Sequence, residues 1–578
     1  MPVNVSFPGV YIHEVKSRVR TITGVPTSVA AFVGLAPRGP SGRPVHITGW
    51  ADYEAQFGGL DANGEMGHAV YQFFLNGGTD AEIVRLVAEN TERARVRVGA
   101  KAPSDDDNRP ILKAASGGIW AKNLRVRVDH DNIPTQDKSL YNLTVRDMGT
   151  GVQESYTNIS SDPDSPYNLT KVLSESRLVR VDQAGTGERP LEHGTPKDSS
   201  DDLLAGPREV VPAKPDDDEG KPEEPHGEAE GEEGEEEEEE GAGNGRGNRG
   251  RGNRNERGGE PKTFIVYEEP GPMRATSDDD PALKDYRGNA AEQTGIHALL
   301  KTDIFNLLCL PGAPEKVLPD ALQLCVERRA ILLVDPPKEW NGLTASAVKD
   351  LALNDPVLPG DPAKNAALYF PEVLAPDPLQ DGKIRAFPPC GVMAGVLART
   401  DAQRGVWKAA AGTDASLAGV TGLTTVLTDR ENGLLNPLGV NCLRQLPLVG
   451  PVAWGARTLR GADRLADEWK YLPVRRLALF VEESLFRGTQ WVVFEPNDEP
   501  LWSSIRLNVG AFMNSLFREG AFQGRTPDEA YLVKCDRENN PQNDIDRGIV
   551  NIQVGFAPLK PAEFVIIHIE QLAGQIQT

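Results

Sequence analysis

The sequence predicts an α/β protein of several domains (α+β multidomain), and three observations carry that reading. At 578 residues the chain exceeds what one hydrophobic core can organise. Residues 306–335 alternate an apolar run, a helical stretch and a second apolar run, which is the pattern of parallel strands joined by a helix. Residues 472–556 carry two helical apolar stripes followed by strand-prone runs, the grammar of a mixed α/β layer.

Taken in order, Phe7, Pro8 and Gly9 form a turn signal, and a short β-prone run holding Val10, Tyr11, Ile12 and Glu14 follows. A soft stretch then leads to Pro26. Residues 1–90 mix short strands with helix signals, including Val29 to Gly34 and a helix over 66–75 that ends at Asn76, Gly77 and Gly78. From about 95 to 185 the texture is β-rich, as in 124–128 and 141–145, and is broken by Asp, Asn, Gly and Pro clusters. A small antiparallel β region is expected there. Residues 186–262 are polar, with Glu235 to Glu240 unbroken and then a Gly/Asn/Arg tract. They hold too little apolar area to offset the entropy of ordering, so a disordered surface loop is expected.

Between 290 and 400 the style changes to helices alternating with buried strands. The runs 306–310 and 331–335 flank a helical stretch at 321–329, so a parallel pair with a right-handed crossover is expected, and Leu368, Tyr369 and Phe370 add a further strand. From 440 onward Pro473 opens a helix whose stripe is Val474, Leu477, Val481 and Leu485, with Gly488 at its stop. A strand is expected over 490–495. A second helix starts near Asp498 and Pro500 and carries Trp502, Ile505, Val509, Phe512 and Leu516, and 531–535 reads as a strand.

The final thirty residues hold two more strands. Val550, Ile552, Val554 and Phe556 share one face, with Asn551 and Gln553 on the other. Pro558 and Pro561 stiffen an extended connection, and the run 563–570 contains Phe564, Val565, Ile566, Ile567 and Ile569. Both ends therefore read as sheet-forming arms. Pattern alone favours pairing within the same subunit, as most ordered termini do. The alternative is β-augmentation between subunits, where main-chain hydrogen bonds supply affinity.

Composition narrows the function classes. The five cysteines show no paired C-x-x-C spacing, which suits a reducing compartment and argues against a disulfide framework or structural zinc. No basic-then-apolar leader opens the sequence and no apolar stretch reaches bilayer length, so a soluble protein made in the cytosol is expected. The net charge of −23 is unevenly spread: residues 201–240 hold 19 Asp or Glu against 3 Lys or Arg, a local −16 that leaves −7 for the rest.

Candidate chemistry is sparse. Asp335 ends a predicted parallel strand, where α/β folds place active sites, but no G-x-S-x-G elbow supplies a nucleophile, and a role in the turn into Pro336 and Pro337 is expected instead. The eight histidines show no metal spacing. Gly245, Gly247 and Gly250 fit G-x-G-x-x-G without a preceding strand or following helix, and no Walker A lysine is present. The arginines Arg246, Arg249, Arg251, Arg254 and Arg257 resemble an RNA-holding tract, although an acidic neighbour in the same chain is the expected partner. No catalytic residue, cofactor or metal site is therefore assigned. Arg475 and Arg476 stand in a helix's first turn, unfavourable by roughly 0.3 to 1 kcal/mol each if exposed, unless acidic groups of another segment or subunit face them. Together with Trp502 and Arg506 they are the expected assembly or tube contacts.

Several phrases make the chain recognisable: Pro8-Gly9-Val10-Tyr11, Pro388-Pro389-Cys390-Gly391, Arg399-Thr400-Asp401, Leu435-Asn436-Pro437, Trp454-Gly455-Ala456-Arg457-Thr458-Leu459, Glu468-Trp469-Lys470-Tyr471, Val474-Arg475-Arg476, Trp491 to Asn497, and Pro561-Ala562-Glu563-Phe564. In that order they resemble the contractile tail sheath family of bacteriophages and extracellular contractile injection systems, over nearly all of the chain except 186–262. The resemblance implies a non-enzymatic structural subunit that polymerises as stacked hexameric rings around an inner tube and contracts without nucleotide. It implies arms that add strands to neighbouring subunits, reversing the preference for pairing in cis. Partners would be the chain itself as a six-start helix, the tube protein, and baseplate and terminator proteins, with no nucleic acid and no membrane insertion. Assembly in the bacterial cytoplasm would precede incorporation into a phage tail or tail-like particle. The implied domains are an N-terminal arm at 1–25, the start of the core or a connecting region at 26–94, a β-rich outer domain at 95–185 and the acidic and Gly/Arg insertion at 186–262. A subtilisin-like α/β middle domain without a triad follows at 263–400, then a C-terminal core domain at 401–560 and a C-terminal arm at 561–578. The core would be a mixed sheet formed by the N- and C-terminal parts. An α/β hydrolase-like enzyme and an RNA-binding protein acting through the Arg/Gly tract are the alternatives. The insertion has no family counterpart, and on an outer surface its like charge would keep long particles apart. Deleting 200–260 is expected to preserve assembly and promote lateral bundling, read by negative-stain microscopy; loss of assembly would make the insertion structural.

Overall fold

Short runs of Ala, Val, Leu and Ile, buried on both faces, build the parallel centre of an eight-stranded sheet. Its strands are β1 (Ala30–Leu35), β2 (Val45–Ile47), β3 (Ala81–Leu86), β4 (Leu307–Cys309), β5 (Ile331–Val334), β6 (Ala366–Phe370), β7 (Val440–Leu446) and β8 (Gly450–Ala453), in the order β8-β7-β6-β5-β4-β1-β3-β2. The six inner strands are parallel, and β8 and β2 close the edges antiparallel. The computed structural model describes residues 20–62, 64–87, 93–99, 109–133, 138–185, 189–192 and 281–566. They fall into two units, residues 1–91 with 269–578, and residues 92–268.

In the first unit the strict alternation of strand side chains divides the core in two. Phe32, Cys309, Leu333 and Tyr369 face one way, against the helices α1 (Met66–Leu75) and α4 (Cys390–Arg404). Val33, Leu308, Leu332 and Leu368 face the other, against α2 (Leu318–Glu327) and α3 (Ala345–Asn354). Both faces must be covered because parallel strands carry apolar side chains on each. Helices α1 and α4 touch through glycine: a Cβ on Gly391 would lie 2.3 Å from the Ala69 carbonyl oxygen, and one on Gly395 2.5 Å from that of Phe73.

The crossover expected over 306–335 is present as β4, α2 and β5, with Leu307 opposite Ile331 in parallel register. The boundaries drawn at 263 and 400 do not delimit this sheet, since β1 to β3 and β7 to β8 lie outside them. Local periodicity marks a strand but carries no information about which distant strand lies beside it.

The C-terminal part of the same unit has its own core. Helices α5 (Leu472–Gly488) and α6 (Glu499–Arg518) pack Leu477 and Val481 against Trp502, Ile505, Val509 and Phe512. Asp498 caps α6 by accepting from the Leu501 amide at 3.1 Å. A two-stranded antiparallel sheet of β9 (Tyr531–Lys534) and β10 (Gln553–Phe556) lies against them. The strand expected over 490–495 is instead a single 3-10 turn, Gln490–Val492. It links α5 to α6, and Phe494 is fully exposed at φ 70°. The strand expected from 548 is shortened, because Asn551 is held by side-chain bonds: its amide donates to Asn540 Oδ1 at 2.6 Å and its Nδ2 to Asp544 Oδ2 at 2.8 Å.

The second unit contains two three-stranded antiparallel sheets. One joins Arg95–Arg97, Ile111–Ala114 and Val179–Gln183, the other Leu124–Asp129, Leu140–Asp147 and Gln153–Ser160, around a core that includes Trp120, Leu143 and Ile159. The acidic and Gly/Arg insertion lies outside the described residues, apart from its first few positions.

Asn441, fully buried on β7, ties the sheet to the segment after β8. Its Nδ2 donates to the Leu368 carbonyl at 3.1 Å and the Arg457 carbonyl at 2.8 Å, and its Oδ1 accepts from the Arg457 amide at 2.7 Å. Asn441→Ala strands three backbone groups and is expected to cost about 3 kcal/mol, read as a lower urea midpoint at unchanged slope. A loss under about 1 kcal/mol would mean the bonds are dispensable.

Candidate functional site

Both ends of the described chain are rooted on polar side chains of the first unit. At the N-terminal root, the Arg20 amide donates to Oδ1 of buried Asn508 at 2.7 Å, and its guanidinium lies 4.9 Å from the Trp491 ring centre. Ile22 enters the α5–α6 core, and the Val25 amide donates to Ser484 Oγ at 3.2 Å. Thr27 then meets a buried ion pair. Arg476 grips Asp401 with both terminal nitrogens, at 2.8 and 2.6 Å, while Thr27 supplies its carbonyl to Arg476 and its hydroxyl to Asp401. Each charged side chain of the pair is 4% exposed.

This geometry turns the expected contact residues inward. The acidic group facing Arg476 comes from another segment of the chain, the end of α4. Arg475 donates to Asn365 Oδ1 at 3.1 Å and Glu482 Oε1 at 3.2 Å and stacks over Trp469. Trp502 is buried and donates to Asn497 Oδ1 at 2.8 Å. Arg475, Arg476 and Trp502 are therefore engaged within the chain, and the helix start that is costly for exposed cations holds the two arginines because Glu482, Asn365 and Asp401 surround them. Arg506 remains about one-third exposed, bonded to Glu499 and to the Cys535 carbonyl.

At the C-terminal root, Arg457 is completely buried. Its Nε and Nη2 donate to Oε1 and Oε2 of Glu563 at 2.7 and 2.6 Å, and its Nη1 to the Asn436 and Gly461 carbonyls and Asp463 Oδ1. Burial pulls this guanidinium's pKa down, but Glu563 and Asp463 outweigh it and hold the pKa above its usual value. Beyond Glu563 the side chains leave the body, Phe564, Val565 and Ile566 being 74%, 81% and 77% exposed. No strand pairing holds 561–566 within the chain, so the described part of the expected second terminal strand is not formed in cis. Ile567, Ile569, Val10, Tyr11, Ile12 and Glu14 lie outside the described residues. Arg457 and Glu563 stand in the recognised phrases, but 106 positions separate them and no local signal joins them.

Asp335 meets a distant segment of the chain. Its Oδ1 accepts from the Cys390 amide at 2.8 Å, capping the start of α4 from a neighbouring strand end. Burial pushes the Cys390 thiol pKa up, and Asp335 beside it pushes further, so the thiol stays protonated and is no nucleophile. All five cysteines are buried and unpaired. Among the described residues no cluster of His, Cys, Asp or Glu could hold a metal, and no helix is long and apolar enough to cross a membrane.

Desolvation raises the Asp335 carboxyl to about 7, against the Cys390 bond and with help from Glu65 and Glu372. Its unfolded value lies near 3.9, so between about pH 4 and 7 the folded state binds more protons, and stability falls as pH rises through that window by at most about 1.4 kcal/mol per unit. Asp335→Asn keeps the acceptor and removes the titration. Its melting temperature is expected to fall less than wild type between pH 5 and 7.5; an unchanged fall would overturn the assignment.

Comparison with known proteins fits this architecture. Residues 466–571 match the family described as the phage tail sheath C-terminal domain. The tail sheath protein of Vibrio phage KVP40 is 26% identical over 185 residues, 32% of this chain and 26% of that protein, so the chain spans about a quarter of that relative's length. The sheath complex of the extracellular contractile injection system PVC, in its contracted state, shares the fold at TM-score 0.52 and 19% identity, covering 99% of both chains. A chain of the anti-feeding prophage baseplate matches at TM-score 0.51 and 20% identity, covering 98% of this chain and 99% of that one. Residues 466–571 thus carry a phage tail sheath C-terminal domain, and the fold of nearly the whole chain is the one seen in solved sheath proteins of contractile injection systems.

Proposed function

We propose that the chain is the structural subunit of a contractile sheath, stacking as hexameric rings around an inner tube through arms lent to neighbouring copies. The observation that carries this reading is the isolated sheet of β9 and β10. Two strands alone are marginal in water, and although the continuation of β10 at Ala557 and Pro558 is bridged to Gln523 and Phe522, no strand pairs with the outer edge of β9 among the described residues, with Leu532 52% exposed. The described start of the apolar run, Phe564 to Ile566, is exposed on the same unit and joins no strand among the described residues, and the β-prone run at Val10 to Glu14 precedes the root at Arg20 in the sequence. A donated strand satisfies an open edge by main-chain bonds alone, which suits a contact that must persist while subunits rotate.

The subtilisin-like reading suits the parallel sheet, and no catalytic residue is needed. The β-rich unit and the insertion would face outward, and tube, baseplate and terminator proteins would be the partners beside the chain itself. Subunits assembled in the bacterial cytoplasm would become part of a phage tail or tail-like particle. Contraction follows from a bistable lattice of rigid bodies, its extended form kinetically trapped. A bias of about 5.5 kcal/mol moves a two-state equilibrium from 1:99 to 99:1, so modest contacts repeated over many copies suffice without nucleotide. The hydrolase alternative would need a nucleophile at Asp335, where the neighbouring Cys390 thiol is held protonated. The Arg/Gly tract of the RNA alternative lies outside the described residues.

Removing residues 1–19 or 564–578 is expected to abolish cylinders in negative-stain images while leaving a folded monomer. Cylinders of normal length from either truncated chain would overturn the arm reading.

A further inference from the structure

We infer that the Arg457–Glu563 pair is a latch that sets where the C-terminal arm leaves the body and presents the residues beyond it to a second copy of the chain. The latch rests on the arm reading above. Between Leu559 and Ile566, Glu563 is the residue tied to the body by hydrogen bonds among the described residues, through two bonds to Arg457 and a longer one from Tyr471 Oη at 3.4 Å. Apolar burial does not hold the segment, because a groove of about 770 Å³ opens beside it, with Glu563 and Phe564 on one side and Trp407, Lys408 and Trp454 among its other walls. The next three side chains are exposed, so the chain passes from a fixed point to a free one within a single residue.

The pair is asymmetric. Arg457 also satisfies the Asn436 and Gly461 carbonyls and Asp463, so its body-side contacts survive loss of the arm. Glu563 has no comparable second anchor among the described residues. Weakening Glu563 therefore releases the arm root without dissolving the site, whereas replacing Arg457 damages both. Buried, bidentate and charge-assisted, the pair resists salt far better than an exposed one, a useful property in a tether that carries load. Hinging during any rearrangement then falls beyond 563, in the exposed run, and not at Pro558 or Pro561.

The test uses the full-length chain with Glu563→Gln, which removes the charge and keeps the shape, and Glu563→Ala. Amide hydrogen exchange across 556–563 in unassembled protein is expected to quicken about tenfold or more in both variants, while α5 and α6 keep wild-type protection. Cylinders should become shorter or fewer. Unchanged exchange across 556–563 would overturn the latch, as would loss of protection throughout α5 and α6, which would make Glu563 a component of the body. The 564–578 truncation separates the two claims: if it abolishes cylinders while both Glu563 variants assemble normally, the arm reading stands and the latch fails.

Discussion

Arg457 is the constraint on which the rest of the C-terminal architecture depends. A guanidinium with no exposed surface is tolerable only when each of its donors is met, and here three separate segments converge to meet them: the turn at Asn436, the loop at Gly461 and Asp463, and the outgoing chain at Glu563. Its own backbone is pinned by Asn441 on β7. The eight-stranded sheet thereby fixes Arg457, and Arg457 fixes the point where the chain departs. A hydrophobic residue there could pack as well, but it would not specify which distant carboxylate docks or at what angle, and a bidentate fork does both.

The same logic operates at the N-terminal root. Arg476 and Asp401 bring α5 and α4 together under Thr27, and Asn508 receives the Arg20 amide from α6. The charges at the start of α5 are not a surface display; they clamp the incoming chain. Both ends of the described chain are thus attached by directional polar contacts, the N-terminal one to α5 and α6 and the C-terminal one to Arg457 in the segment between β8 and α5. A purely apolar attachment would let the N-terminal root slide over α5 and α6, since burial is indifferent to direction.

Much of the secondary structure was legible in the sequence because it is written in short-range periodicity. Helix 66–75, the β4-α2-β5 unit and α6 with its Asp498 cap all follow from spacing and capping chemistry. What stayed hidden is long-range. Nothing local says that β1 lies beside β4, with a whole unit between them in the chain, or that Arg457 awaits Glu563. The 490–495 strand failed for the converse reason: the run Trp491 to Phe494 has strand composition, but it forms the short link between α5 and α6, where a 3-10 turn is adopted. Arg475 and Arg476 misled because the helix-dipole penalty applies to exposed charge, and burial among partners reverses its sign.

The sheath subunit proposed above would have to hold its neighbours while moving against them, and that sets opposing demands. Its body must not deform, and its links must. The distribution of burial resolves this: the sheet and its flanking helices are packed on both faces, whereas the described residues after Glu563 contribute almost nothing to the fold of their own chain. Such a segment has little stability to lose when it binds elsewhere, because its apolar side chains have yet to leave water. The edge strands β9 and β10 are in the matching condition, formed but incomplete. On the proposed reading, the open edge of β9 and the exposed residues after Glu563 complement each other chemically, and a latch at Arg457 that frees only the residues beyond 563 would leave the completion of the sheet to another copy.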